Sequence, residues 1–440
     1  MFKKYFFKIN PRKLPSKYKL KGFLNVIGSI IIYLIFGSLY AWSNINVYLV
    51  SYLKQYKSPN IEIVDGYFIM PIIIVISNIS KYFGSKIEEK LELKKCLLLS
   101  LVMICGSHFG LLFTTRLIFV FSLMIIFGIA IGFSEFAVMK NAWYFYPHKK
   151  GFISGIISFG YGVSSMIFSG IADNIINPKN EATETNGFFN KTISDNTFSY
   201  LKQLNIILYV MSLIGFLLIS DYNKINNQNK ISQEKIIKDT KNSSLIIKQV
   251  FKRRQIWLII FSNFSALYFL YIIANTNRSF GQLFSINNKL LSNLSKFYSF
   301  INGVGRIIWG FLLDRFELKK LYYFIIFFEI IISSTIFYAG NYQYLYFLMI
   351  CSCSFLFSGI VVILIIIYPK VYGIKYSNKI YGIGSAITGF SSLLGPIASK
   401  VLIKETNDYK KIYFSGTLLS FLCLINLYFL SLKEFKYRFE

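Results

Sequence analysis

Long apolar runs recur along this chain, separated by short polar segments and once by a long one. Twelve runs approach the ~20 residues a helix needs to cross a bilayer. They span roughly 23–48, 64–84, 96–114, 117–139, 152–172, 203–220, 256–275, 297–313, 321–339, 343–367, 380–399 and 412–432. The polar stretch 221–254 divides them six and six. The pattern predicts an all-α membrane protein in five parts: a basic arm (1–22), a six-helix half (23–220), a linker (221–254), a second half (255–432) and a tail (433–440). The arm runs straight into the first span, as a retained anchor does, and shows no cleavable signal.

The two halves repeat each other. YFYPHKKGFISGIISFGYGVSSMIF follows the fourth span and IYPKVYGIKYSNKIYGIGSAITGFSSLLG the tenth. Gly155 matches Gly382, Gly162 matches Gly389, and Ser164-Ser165 match Ser391-Ser392, at a constant offset of 227. The second and eighth spans are likewise followed by EEKLELKK and DRFELKK. Parallel six-helix repeats are the internal symmetry of major facilitator transporters, whose substrate site lies between the halves near the midplane. Gly151, Gly155, Gly162, Gly382 and Gly389 are expected to let helix backbones approach closely.

The net charge of +28 raises a nucleic-acid reading. Topology accounts for it better. With both termini cytoplasmic, the inner segments hold 34 Lys and Arg, the outer segments 13 and the membrane one, which is the positive-inside bias. Five cysteines and two histidines show no metal spacing and no disulfide framework. No phosphate loop, nucleophile elbow or metal motif is present, so no cofactor and no enzyme activity are expected.

Arg306 is the only charge in FYSFINGVGRIIWGFLL (297–313). An arginine there costs ~2.5–3.5 kcal/mol on insertion scales and persists where it faces a water-filled cavity. A fixed mid-membrane cation suits a small carboxylate.

Five segments carry a family resemblance: FGSLYAWS (36–43), WYFYPHKKG at the end of the fourth span, SGIISFGYG (154–162), NGVGRIIWGFLLDRF (302–316) and YGIGSAITGFSSLLGP (381–396). In this order they resemble the oxalate–formate antiporter family of the major facilitator superfamily, related to monocarboxylate transporters. The resemblance implies two pseudo-symmetric six-helix halves and a secondary transporter. It implies that Arg306 holds the substrate carboxylate, and that Tyr40 and Tyr161 line the pocket. The family's second cation falls on Thr388, its fourth-span pocket tyrosine on Glu135, and its tenth-span aromatics near Phe357 and Val361. With one cation missing and a carboxylate added, charge matching favours a monocarboxylate such as pyruvate, lactate or formate over oxalate.

Glu135 and Arg306 each sit ~12–14 Å from the inner boundary at 1.5 Å per residue. Matched depth predicts that they meet, that substrate displaces Glu135 from Arg306, and that Glu135 then takes a proton. The alternative is a fixed pair that locks two helices. Asn302 is expected to orient Arg306, and Asp314 and Arg315 to gate the inner side, with Glu88 and Glu89 as a weaker first-half copy. Trp42 is assigned to the cavity or the outer aromatic belt, Lys81 to the inner surface, Glu329 to a pair with a neighbouring helix, and His108 to a satisfied structural role. The expected partners are a small carboxylate, a proton and the bilayer. The chain is expected to be monomeric, with a second carrier subunit as the alternative. Competing readings are a transport-inactive sensor and a facilitator for another solute. The membrane is the plasma membrane or a plastid-like one.

Overall fold

The structure is a computed structural model. It describes residues 16–56, 60–179, 181, 183–184, 187–222, 247–286, 288–397 and 406–432. Most of the arm, most of the linker (223–246) and the tail lie outside the described residues. Among those described, every regular element is helical.

The first half comprises α1 (Ser16–Gly37), which tightens through a 3₁₀ turn (Ser38–Ala41) into α2 (Trp42–Tyr56), then a single turn α3 (Ile63–Gly66), α4 (Ile69–Gly110), α5 (Leu117–Phe145), α6 (Lys150–Ile176) and α7 (Lys191–Leu218). The second half comprises α8 (Arg254–Leu283), α9 (Asn288–Arg315), α10 (Leu318–Ala339), α11 (Gln343–Gly389), α12 (Ser391–Ile397) and α13 (Thr406–Phe429). Two helices are too long for one crossing. α4 has 42 residues and α11 has 47, ~63 and ~70 Å at 1.5 Å per residue, against a hydrocarbon core of ~30 Å. Each is broken in its middle, α4 at Glu92 (φ 65°) and α11 at Gly373 (φ 74°). Each therefore supplies two spans, as the paired apolar runs predict.

Among the described residues nine helices are long and apolar enough to cross a membrane, and α9 is not one of them. Its mid-helix polar residues Ser299, Asn302 and Arg306 are buried, and α9 packs on α6 of the other half and on α11. The second inter-half seam joins α4 to α11. The seams need glycine at matching places. A Cβ on Gly155 would strike the Arg306 carbonyl and the Ile307 backbone, and one on Gly382 would strike the backbone of Lys81 and Tyr82.

Candidate functional site

A cavity of about 70 Å³ lies between the halves. α1, α4, α5 and α6 of the first half and α8, α9 and α11 of the second contribute to its wall. Arg306, Glu135, Tyr40, Tyr161 and Thr388 all line it. So does Lys81, buried at 6% exposure. Lys81 does not reach the inner surface as expected. It is the second cation of the site, on α4 rather than at Thr388.

Arg306 is 2% exposed. Its Nε donates to Asn302 Oδ1 (3.0 Å), one turn earlier on the same helix, as expected for an orienting partner. Nη1 donates to the Ser158 carbonyl across the seam (3.2 Å), and the guanidinium lies 5.5 Å from the Tyr161 ring centroid. Nη2 is buried without a hydrogen-bond partner among the described residues. A buried donor left unpaired costs ~1–3 kcal/mol, and more when charged.

Glu135 does not meet Arg306. Its Oε2 lies 3.2 Å from Lys81 Nζ, an ion pair without hydrogen-bond alignment at that oxygen. Depth alone favoured Arg306; lateral position decides otherwise. α5 packs along α4 within its own half, so its inward carboxylate reaches the α4 ammonium first. Lys81 also donates to Asn78 Oδ1 (2.8 Å) and to the Tyr381 hydroxyl (3.1 Å). The three side-chain charges in the cavity leave one net positive charge.

Tyrosines make up much of the remaining polar lining. Tyr40, in the 3₁₀ turn, packs edge-on to Tyr161 with centroids 5.4 Å apart. Tyr33 donates to the Glu135 carbonyl (2.7 Å) and packs against Tyr161. Tyr271 and Tyr381 enter from the second half. Thr388 spends its hydroxyl on the Ser385 carbonyl (3.1 Å). Val361 lines the cavity, while Phe357 packs behind Tyr271. Tyr33, Asn78, Ser158, Tyr271 and Tyr381 were not singled out from the sequence. The spacing of Lys81 to Glu89, equal to that of Arg306 to Asp314, was the available signal for Lys81.

The side of the cavity facing the linker is tied by polar contacts between halves. Asp314 accepts from the backbone N–H groups of Gly151 and Phe152 (both 2.8 Å) at the start of α6, where the helix dipole favours an anion. In the other seam Glu89 pairs with Lys379 (2.9 Å), and Glu88 accepts from Asn378 (2.8 Å) while pairing with Lys140 (2.6 Å). Arg315 does not join these contacts. It is exposed, stacked 3.9 Å from the Phe311 ring centroid.

Trp42 belongs neither to the cavity nor to a lipid-facing belt. It is 1% exposed, inside the first half beside His108. His108 is fully buried, its Nδ1 3.0 Å from the Ile104 carbonyl and its Nε2 unpartnered among the described residues. Glu329 is fully buried on α10 and accepts from Ser420 of α13 (2.7 Å).

The sequence profile of the Major Facilitator Superfamily matches residues 198–396 and 297–438, together more than half of the chain. An MFS-type transporter of Escherichia coli (strain K12), YhjX, is 21% identical over 374 residues, 84% of this chain and 85% of the relative. Apicoplast pyruvate carrier 1 of Toxoplasma gondii is 21% identical over 192 residues, 36% of this chain and 35% of the relative. The crystal structure of a D-xylose–proton symporter superposes with a TM-score of 0.68 at 12% identity, over 93% of this chain and 98% of that one. The outward conformation of FucP gives a TM-score of 0.62 at 14% identity, over 92% and 99%. These likenesses establish the fold. The chain is a multi-pass membrane protein and belongs to the Major Facilitator Superfamily.

Proposed function

We propose that this protein carries small monocarboxylates, of the pyruvate, lactate or formate type, across its membrane by alternating access together with a proton. The observation that carries the reading is Arg306, which lines a cavity between the halves and whose buried Nη2 has no hydrogen-bond partner among the described residues. A carboxylate supplies the acceptor that this nitrogen lacks, and charge-assisted N–H···O⁻ bonds are the stronger class. A neutral sugar would leave the guanidinium uncompensated. The partial similarity to a pyruvate carrier points the same way.

Asn302 and Ser158 fix the guanidinium, so that little conformational freedom is lost on binding. Tyr40 and Tyr161 form one wall beside it. Glu135 is the proton site of this reading. Binding an anion and a proton together leaves the cavity's net charge unchanged, which avoids the large penalty of adding uncompensated charge to a buried site. Asp314 and the Glu88/Glu89 cluster hold the linker side shut in this arrangement, and their release would open it.

The test is uptake of labelled pyruvate into proteoliposomes by wild type and Arg306→Ala, with and without an inward proton gradient. Proton-stimulated uptake that the substitution abolishes supports the reading. Wild-type protein that moves none of pyruvate, lactate or formate sinks it in favour of a sensor or another solute.

A further inference from the structure

Lys81 and Arg306 occupy equivalent positions in the two halves. Gly155 backs onto Arg306 and Ile307; Gly382, its counterpart at the 227-residue offset, backs onto Lys81 and Tyr82. Two turns along, Gly162 meets Gly303 and its counterpart Gly389 meets Asn78. Each cation is held by an asparagine about one turn earlier on its own helix: Asn302 for Arg306 and Asn78 for Lys81. Each lies near a tyrosine ring of the opposite half, Arg306 5.5 Å from Tyr161 and Lys81 5.0 Å from Tyr381. Glu135 breaks this symmetry. It pairs with Lys81, and no carboxylate among the described residues lies within ion-pair distance of Arg306.

We propose that Lys81 is a second anion-binding cation of the cavity, masked by Glu135 and unmasked when Glu135 takes a proton. This rests on the reading of Arg306 as the anion anchor. A lysine ammonium has three donors. Here they face Asn78 Oδ1, the Tyr381 hydroxyl and Glu135 Oε2. A proton from solvent on Glu135 removes the only anionic partner that Lys81 has among the described residues, and leaves its bonds to Asn78 and Tyr381 in place. The cavity then presents two uncompensated cations instead of one. Relative to a monocarboxylate, a small dicarboxylate is then bound more strongly than when Glu135 is ionised. The charged and titratable groups around Glu135 are Lys81 on α4, Arg306 on α9, and the phenols of Tyr33, Tyr40, Tyr161 and Tyr381. None is a second carboxylate, so Glu135 alone carries the negative charge that masks the site.

The test measures binding of oxalate and of acetate to purified wild type, Glu135→Gln and Lys81→Met/Glu135→Gln. The expected result is a ratio of oxalate to acetate affinity that rises about tenfold in Glu135→Gln, equivalent to ~1.4 kcal/mol, and returns to the wild-type value in the double variant. In wild type the same ratio rises as the pH is lowered, within the range in which both free acids stay ionised. An unchanged ratio in Glu135→Gln, with acetate binding still dependent on Arg306, overturns the role of Lys81 and leaves the Arg306 reading standing. No binding of either acid to wild type or Glu135→Gln overturns both. If Glu135→Gln does not fold, the wild-type pH series decides, and a flat ratio overturns the proposal.

Discussion

Arg306 in the second half and Lys81 in the first reach the same cavity from equivalent positions, yet they are held differently. Arg306 keeps one nitrogen without a hydrogen-bond partner among the described residues. Lys81 is ringed by Asn78, Tyr381 and Glu135. A buried pair leaves little attraction to spare, because its Coulomb energy already offsets desolvation. Arg306 is met by Asn302 and the Ser158 carbonyl but by no carboxylate among the described residues, so a ligand anion can return more of that cost. The same residue class in the same place can therefore serve the fold in one half and a ligand in the other. The distinction lies in one neighbouring carboxylate.

Four substitutions sharpen or break the comparison. The largest effect is expected from Lys81→Met alone. It strands Glu135 in a site where it is only 8% exposed, and breaking a buried pair costs ~3–5 kcal/mol. Thermal unfolding in detergent should show the loss, with recovery in Lys81→Met/Glu135→Gln; a stable single variant would mean that the pair is not intact in the protein. Arg306→Ala follows, with ~2–4 kcal/mol of lost carboxylate binding, the scale for truncating a desolvated charge contact. Its unfolding temperature should move far less than that of Lys81→Met. The opposite ranking of the two variants in stability would erase the contrast. Asn302→Ala removes a hydrogen bond to a charged group, ~1.5–3 kcal/mol, and should raise the half-saturating substrate concentration while leaving proton stimulation in place; a pure loss of stability would make Asn302 architectural. Arg315→Ala should change stability by no more than ~0.5 kcal/mol, as for other exposed sites, with uptake near wild type. A large transport defect would restore it to the gate.

Much of the fold is legible in the sequence because membrane helices announce themselves by length and hydropathy, and because the glycine repeat carries its own register. The constant 227-residue offset reappears in space as Gly155 and Gly382 on equivalent backbones. Arg306 was legible because it stands alone in an apolar run. Lys81 was not. Its run ends close to charged residues, and a long ammonium stem there can reach toward water or toward a cavity. Only the rotation of α4 chooses between them. Glu135 reaches the cavity but has a different partner from the one expected, since rise per residue measures depth and says nothing of lateral distance. Trp42 shows a related limit. Apolar and amphipathic, it fits belt, cavity or core by composition, and the bend between α1 and α2 buries it beside His108.

The most direct test of carboxylate and proton moving together is to record labelled pyruvate uptake and internal pH in the same proteoliposomes, for wild type beside Glu135→Gln. The account predicts about one proton entering per pyruvate in wild type, the stoichiometry that holds the charge of a buried site constant. In Glu135→Gln, pyruvate flux should no longer respond to the proton gradient. Pyruvate entry without protons in wild type, or undiminished proton stimulation in Glu135→Gln, would contradict it.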